Sequence, residues 1–129
     1  MILTAIALVA SPLAADAGSS GADEEIVVLG QKLKYWRGSW KKRKGIFTCK
    51  TTRSSGDKVI DQIGCNALQF CVGPRNDEMA AILEANRGKA VREKLLAPIY
   101  KEVGSCLVEK RTDGIAALAE QRAAQGAKP

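Results

Sequence analysis

The sequence has no histidine, and it has only two residues each of Trp, Tyr and Phe in a chain of 129 residues. Without histidine there is no Ser-His-Asp triad, no Cys-His pair and no histidine-ligated zinc. The chain also lacks a Cys-x-x-Cys pair, a phosphate loop and a dinucleotide fingerprint, which argues against redox-active, four-cysteine zinc and nucleotide sites. We therefore expect no metal, no cofactor and no catalytic residue.

Two acidic residues and two serines are the candidates for catalysis. Asp57 and Asp61 are four residues apart, so a helix places them on one face, but acidic residues near a helix start are usually there to stabilise it. Ser54 and Ser55 have no evident general base. We therefore do not expect the protein to be an enzyme.

An apolar run at residues 2–10 opens the chain, and Ser11-Pro12 interrupts it before the small residues Ala15 and Ala17. This layout is typical of a secretory signal peptide, although no Lys or Arg precedes the run. The run is shorter than the roughly 20 residues that span a bilayer. We interpret residues 1–17 as a signal peptide, with a buried N-terminal helix as the alternative.

Removal of that peptide predicts an exported protein, either in the periplasm of a Gram-negative-type bacterium or secreted, with no transmembrane segment in the mature chain. Residues 18–24, rich in Gly, Ser and Ala, are predicted to form a flexible linker before a single domain at 25–125. In an exported domain of this size, an even number of cysteines favours disulfides. The four are Cys49, Cys65, Cys71 and Cys106.

Apolar periodicity predicts an α+β fold in which strands come first and helices follow. We expect a small antiparallel sheet over about residues 26–53, with a first strand at 26–29 and a β-hairpin at 34–53. The sheet packs on a helix at 57–71, and a helical C-terminal half follows. Within that half, Pro98 is expected to kink a helix or begin one, and Thr112-Asp113 to cap a last helix.

The densest basic stretch, residues 32–45, is interleaved with aromatic side chains that can stack on flat rings. An exported protein meets lipopolysaccharide or cell-wall polymer rather than nucleic acid, so nucleic acid is not the expected partner. The alternative is that the aromatics enter the core while the charges only solvate the other face. The candidate binding residues are Lys34, Trp36, Arg37, Trp40, Lys41, Lys42, Arg43 and Lys44.

Three segments, Lys44-Gly45-Ile46, Thr52-Arg53-Ser54-Ser55-Gly56 and residues 60–68, share a pattern with a known family. Over about residues 35–71 the chain resembles the C-terminal domain of the TonB energy-transducer family. That family has a glycine hairpin turn, a strand, Ser-Ser-Gly, three residues, Leu-Asp and two small residues that open a helix. The resemblance implies a strand-turn-helix core that binds a protein partner through a sheet edge.

By this resemblance the motif turn is formed by Ser54, Ser55 and Gly56, and the helix opens with Ile60 and Asp61 in its first turn. The family continues with Pro-rich sequence and a further strand, whereas this chain continues with helical sequence. It also shows no membrane anchor or long Pro-rich segment. We therefore expect a TonB-C-like module and not an energy transducer.

The resemblance also implies a disulfide pairing, although four cysteines allow three connectivities and the sequence alone does not choose among them. Cys49 falls on the strand before the motif turn, and Cys65 falls on the helix after it, where the family has an apolar residue near the sheet. A bridge between them would leave Cys71 to pair with Cys106. We prefer this pairing.

These expectations favour a non-enzymatic interaction module of the periplasm that binds a cell-envelope protein. The alternative is that the basic hairpin binds an anionic envelope component such as lipopolysaccharide or cell-wall polymer. Residues 25–30 also resemble the TonB box of outer-membrane transporters, an extended segment that pairs with a sheet edge. We favour the simpler interpretation that they are the first strand of this protein's own sheet.

Overall fold

The computed structural model describes residues 20–126, with side chains from Asp23, so the predicted signal peptide lies outside the described residues. The predicted α+β class is confirmed, since one two-stranded antiparallel sheet combines with four α-helices. No helix in this part of the chain is both long enough and apolar enough to cross a membrane. The elements are α1 (Ser20–Tyr35), β1 (Arg37–Arg43), β2 (Ile46–Arg53), α2 (Lys58–Cys71), a 3₁₀ turn (Gly73–Arg75), α3 (Asn76–Glu84) and α4 (Lys89–Gly126).

Helix α1 replaces the predicted first strand at 26–29, so that prediction is wrong. The β-branched run there favours a strand locally, but Leu29 and Leu33 lie four residues apart and are both buried. Helical spacing lets α1 place both against the core as it packs on α4. Residues 20–24, predicted as a linker, form the start of this helix. The TonB-box-like residues are therefore helical and not extended.

The predicted hairpin is present, but it begins at Arg37, because Lys34 and Tyr35 belong to the end of α1. Strands β1 and β2 pair in antiparallel register up to a two-residue turn at Lys44-Gly45. Both turn residues have positive φ angles, 52° and 77°. This is the conformation of a type I′ turn, whose twist matches that of paired strands.

Helix α2 begins where the sequence predicts it. Asp57 is its N-cap, and its carboxylate accepts hydrogen bonds from the backbone N–H groups of Val59 and Ile60. One stripe of the helix is buried toward the core, and it includes Ile60 with no exposed surface. The hairpin and α4 both pack on α2, so α2 lies between the two halves of the fold.

Trp36, between α1 and β1, is the link between the hairpin and α2. The indole is 3% exposed, and its Nε1 donates a hydrogen bond to Oγ1 of Thr51 on β2 at 3.0 Å. Gly38 and Gly64 leave room for it, because a Cβ on either glycine would overlap the ring. A glycine is thus required at position 64 of α2 because the Trp36 ring packs directly against it.

Helix α4 is one continuous 38-residue helix that contains Pro98. The predicted new start at Thr112-Asp113 is therefore wrong. Its buried residues keep helical spacing on both sides of that point, from Leu96 to Ala119, so a single helix keeps its apolar stripe against the core. Cap-forming residues inside a helix do not end it when packing continues across them.

Two disulfides join the elements. Cys49 on β2 is bonded to Cys65 on α2, with Cα atoms 5.6 Å apart. Cys71 at the end of α2 is bonded to Cys106 on α4, with Cα atoms 5.7 Å apart. This is the preferred pairing, and it makes α2 the element to which the hairpin and α4 are both covalently attached.

Candidate functional site

One face of the hairpin carries several exposed basic side chains. In the β1–β2 register Lys41 lies opposite Thr48, Arg43 opposite Ile46, and Ser39 opposite Lys50. Directly opposed residues point to the same side of a sheet, and alternate residues along a strand share a side. The opposite side holds Cys49 and its neighbours, which pack toward the core. We call the basic face the set of Lys41, Arg43, Lys50 and the turn residue Lys44, all exposed.

The segment of the chain that carries the basic face contains no acidic residue. Residues 26–56 include nine Lys or Arg and no Asp or Glu, whereas residues 57–126 include ten of each sign. The formal charge of the first segment is thus +9, and that of the second is zero. The excess charge of the protein is therefore concentrated on the hairpin and the last turns of α1.

The structure separates the predicted binding residues into different environments. Trp36 is buried in the core, so the prediction that it stacks on a ligand is wrong and the core alternative holds for it. Trp40 is 43% exposed, which leaves part of its ring accessible. Lys42 points toward the helices, where its Nζ lies 2.8 Å from Oδ1 of Asp77.

Two further predicted residues are not part of the basic face. Lys34 lies in the last turn of α1, and Arg37 is the first residue of β1. Arg37 donates hydrogen bonds from Nη1 to the backbone carbonyl oxygens of Lys34 and Trp36, at 2.8 and 2.9 Å. These carbonyls are at the C-terminal end of α1, where a cation offsets the partial negative charge of the helix. Arg37 therefore has a structural role at the helix end.

The motif turn closes on Asp61. Its carboxylate accepts hydrogen bonds from the hydroxyl of Ser54 at 2.5 Å, and from the hydroxyl and the backbone N–H of Ser55 at 2.6 and 2.8 Å. Burial raises the pKa of Asp61, but these hydrogen bonds outweigh it and the net pKa lies below the usual value of 3.8. Gly56, with a φ angle of 88°, completes the turn. These residues therefore hold the strand-to-helix connection.

Asp57 connects the same turn to the far end of the chain. Its Oδ2 lies 2.7 Å from Nη2 of Arg122 on α4. Burial raises the pKa of Asp57, but the hydrogen bonds from Arg122, Val59 and Ile60 together with the charge of Arg122 lower it below 3.8. Both acidic candidates for catalysis thus have structural partners. Within residues 20–126 no cluster of three metal-ligating side chains occurs.

The chain matches no family model, no curated protein and no solved structure. The TonB-C-like resemblance therefore stays a prediction. The basic face is an exposed surface in the segment of the chain where positive charge is concentrated.

Two basic residues, Lys50 and Arg111, were not predicted as site residues from the sequence. Lys50 lies on the basic face. It is two residues beyond Thr48, which lies opposite Lys41, so the alternation of side chains along β2 predicts that Lys50 and Lys41 share a side. Arg111 lies on α4 with its guanidinium carbon 5.9 Å from the centre of the Trp36 ring. No local signal indicates that contact, because the two residues are distant in sequence and meet only through the packing of α1 on α4.

Proposed function

We propose that the protein is an exported, non-enzymatic module that binds an anionic component of the cell envelope through its basic face. The observation that carries the proposal is the set of exposed cations on one side of the hairpin, in a segment that has no acidic residue. Each basic side chain near an anionic surface contributes roughly 1 kcal/mol of attraction. Four of them on one face together contribute about 4 kcal/mol of salt-dependent attraction.

Export is part of the proposal, and two features support it. Two disulfides in a small domain are consistent with an oxidising compartment. The signal-peptide-like residues 1–17 supply a route to that compartment. In the periplasm the abundant polyanions are lipopolysaccharide phosphates, anionic lipid headgroups and cell-wall polymers, which are the partners that a basic face would meet.

The fold holds the basic face in place before any ligand binds. The Cys49–Cys65 disulfide fixes β2 to α2, and the type I′ turn fixes the position of Lys44 at the tip of the hairpin. Trp36 anchors the other end of the hairpin through its hydrogen bond to Thr51. A preorganised surface loses little conformational entropy on binding, which favours affinity.

The test is sedimentation with lipopolysaccharide and with vesicles that contain anionic lipid, over a range of salt concentrations. Replacement of all four basic-face residues by Gln should weaken binding on the order of a hundredfold or more and flatten its salt dependence. The matched control replaces four exposed basic residues of the helical half, Arg87, Lys89, Lys94 and Lys101, by Gln. It changes the net charge equally and should lower affinity much less.

Equal losses in the two variants would contradict the proposal, because binding would then follow total charge and not the basic face. Binding that does not change with salt would contradict it as well. Circular dichroism of each variant confirms that the fold is retained.

A protein partner is the second candidate, and the exposure of β1 favours it. In the described part of the chain no third strand pairs with the hairpin, so backbone groups at its edges are open to an added strand. Hydrogen exchange separates the candidates. A partner that adds a strand would protect amide hydrogens of β1 or β2, whereas an anion held by side chains would leave them unchanged.

A further inference from the structure

A groove with an apolar floor lies between α1 and α4, away from the basic face. Its volume is about 300 Å³, at the lower end of the range for small-molecule sites. Ile26 and Leu33 of α1 form one wall, and Val108 and Ile115 of α4 form the other. Gly30 lies between the two α1 residues, and a Cβ placed on it would meet no atom within 4 Å. The groove is therefore open space along the helix and not a packed contact.

The polar residues of this groove are Lys34, Arg111 and Thr112, and none of the lining residues is acidic. Lys34 is eight residues from Ile26 along α1, which corresponds to about 12 Å along the helix axis. Arg111 lies beside Trp36, so it too is near the end of α1. The α1 wall of the groove is thus apolar toward Ile26 and cationic toward Lys34.

Arg111 is held in this groove without an acidic partner. Its Nε is buried and has no hydrogen-bond partner among the described residues. The ion pairs formed within residues 20–126 do not include it. Burial, and then the charge of Arg37, lower the pKa of Arg111, yet an arginine stays charged at neutral pH.

A partly buried guanidinium with no counter-ion destabilises the protein, and an anion that reached it would offset that cost. The surroundings restrict which anion fits. A small inorganic ion would leave the apolar floor in contact with water, whereas an anion with an attached hydrocarbon chain would cover it.

We propose that the groove between α1 and α4 binds a single-chain anionic lipid, with its hydrocarbon chain along Ile26, Leu33 and Val108 and its headgroup at Arg111 and Lys34. The headgroup is a carboxylate or a phosphate, because both match the guanidinium fork. The volume holds roughly ten water-sized groups, which corresponds to a medium-length chain. This ligand and this site are separate from the polyanion surface of the hairpin.

The probes are decanoate and decyl phosphate below their micelle concentrations, with decanol, acetate and inorganic phosphate as comparisons. Binding is measured by calorimetry on the exported protein with both disulfides formed. Decanoate or decyl phosphate should bind, and any preference between them identifies the headgroup. Decanol should bind at least tenfold more weakly than the better anion, and acetate and inorganic phosphate should not bind. Shortening the chain should weaken binding by roughly fourfold per methylene.

Two variants locate the ligand. Gly30→Leu on α1 fills the groove and should reduce decanoate affinity at least tenfold. The control Ala117→Leu, at an exposed position of α4, should not reduce it. Arg111→Gln should weaken decanoate binding about tenfold to a hundredfold and leave decanol unchanged, while Arg111→Lys should retain part of the affinity. Unfolding curves of each variant exclude a loss of fold.

Equal binding of decanol and both anions, or an unchanged affinity in Gly30→Leu, would overturn the proposal. A dimer that becomes a monomer in Gly30→Leu would also overturn it, since a second copy of the chain would then cover the groove. The variant with all four basic-face residues replaced should still bind decanoate. Failure of the envelope-binding proposal and failure of the groove proposal are therefore distinguishable.

Discussion

The basic segment 26–56 and the helical segment 57–126 differ in both charge and burial. The first contributes three of the buried apolar residues, and the second contributes twelve. The first carries nine basic and no acidic residues, whereas the charges of the second balance. The hairpin therefore has little core of its own, and it depends on the helical segment for its stability, while its own segment carries the excess positive charge.

Removal of the disulfides should have the largest effect on the stability of the protein. The 16-residue loop closed by Cys49–Cys65 corresponds to about 3 kcal/mol of stability, and the 35-residue loop closed by Cys71–Cys106 to about 4 kcal/mol. Replacing each pair by Ser should lower the free energy of unfolding in urea by about these amounts. The reduced wild-type protein should show both losses.

The two disulfides should also differ in where protection is lost. A two-stranded hairpin is marginally stable by itself, so loss of Cys49–Cys65 should increase hydrogen exchange in β1 and β2 before α4. Loss of Cys71–Cys106 should increase exchange in the helices. A uniform increase in both variants would show that the two segments unfold as one unit.

Gly64→Ala should have the next largest effect, because the added methyl overlaps the buried Trp36 ring. Overpacking of this kind costs about 1–3 kcal/mol. The control is Gly104→Ala on α4, where a Cβ meets no neighbouring atom and the alanine favours the helix. Thermal unfolding of both variants tests the prediction, and equal melting temperatures would contradict it.

Local patterns predicted much of the fold. Gly45 predicted the position of the hairpin turn, and Asp57 predicted the start of α2. The TonB-C-like pattern predicted the disulfide between β2 and α2. Helix α1 was missed because the β-branched residues 26–28 have strand propensity, and their helical state depends on contact with α4. The predicted helix start at Thr112-Asp113 and the alternative of a helix start at Pro98 are wrong for the opposite reason, since tertiary packing keeps α4 continuous across these local signals.

The candidate sites were less predictable than the fold. The basic stretch is visible in the sequence, and strand alternation separates Lys41 and Arg43 from Lys42. Which of the two sides faces the helices depends on how the hairpin packs on them. The groove between α1 and α4 has no sequence signal at all. It exists because residues about 80 positions apart pack together. Arg111 indicates a binding site there only because its buried Nε has no hydrogen-bond partner among the described residues, which the sequence does not show.

Acid should weaken the contact between Asp57 and Arg122 within the helical segment. The pKa of Asp57 is lowered by folding, so its contribution is present above the unfolded value of 3.8 and is lost as the pH falls through the folded value. Asp57→Asn keeps a good N-cap and removes the charge, which should cost about 1 kcal/mol at neutral pH. The difference from wild type should shrink below pH 3.8.

Arg122→Gln should reproduce that pH dependence, because it removes the same pair from the other side. Urea unfolding at a series of pH values measures both variants. A difference that persists unchanged in acid would show that Asp57 acts through its capping geometry and not through its charge.

The ion pair between Lys42 and Asp77 should have the smallest effect, although among the ion pairs of residues 20–126 it is the one that joins the basic segment to the helical segment. Asp77 is largely exposed, and pairs of this kind contribute at most about 1 kcal/mol. A double-mutant cycle with Lys42→Gln and Asp77→Asn should give a coupling energy of about 0.5 kcal/mol or less. The cycle is needed because it cancels the separate effect of Asp77 on the first turn of α3. Asp77→Asn alone should slightly strengthen salt-dependent binding to anionic vesicles, because it removes the negative charge that is paired with Lys42 of the hairpin. Weaker vesicle binding in that variant would show that the pair positions the hairpin, and that the helical segment contributes geometry to binding as well as stability.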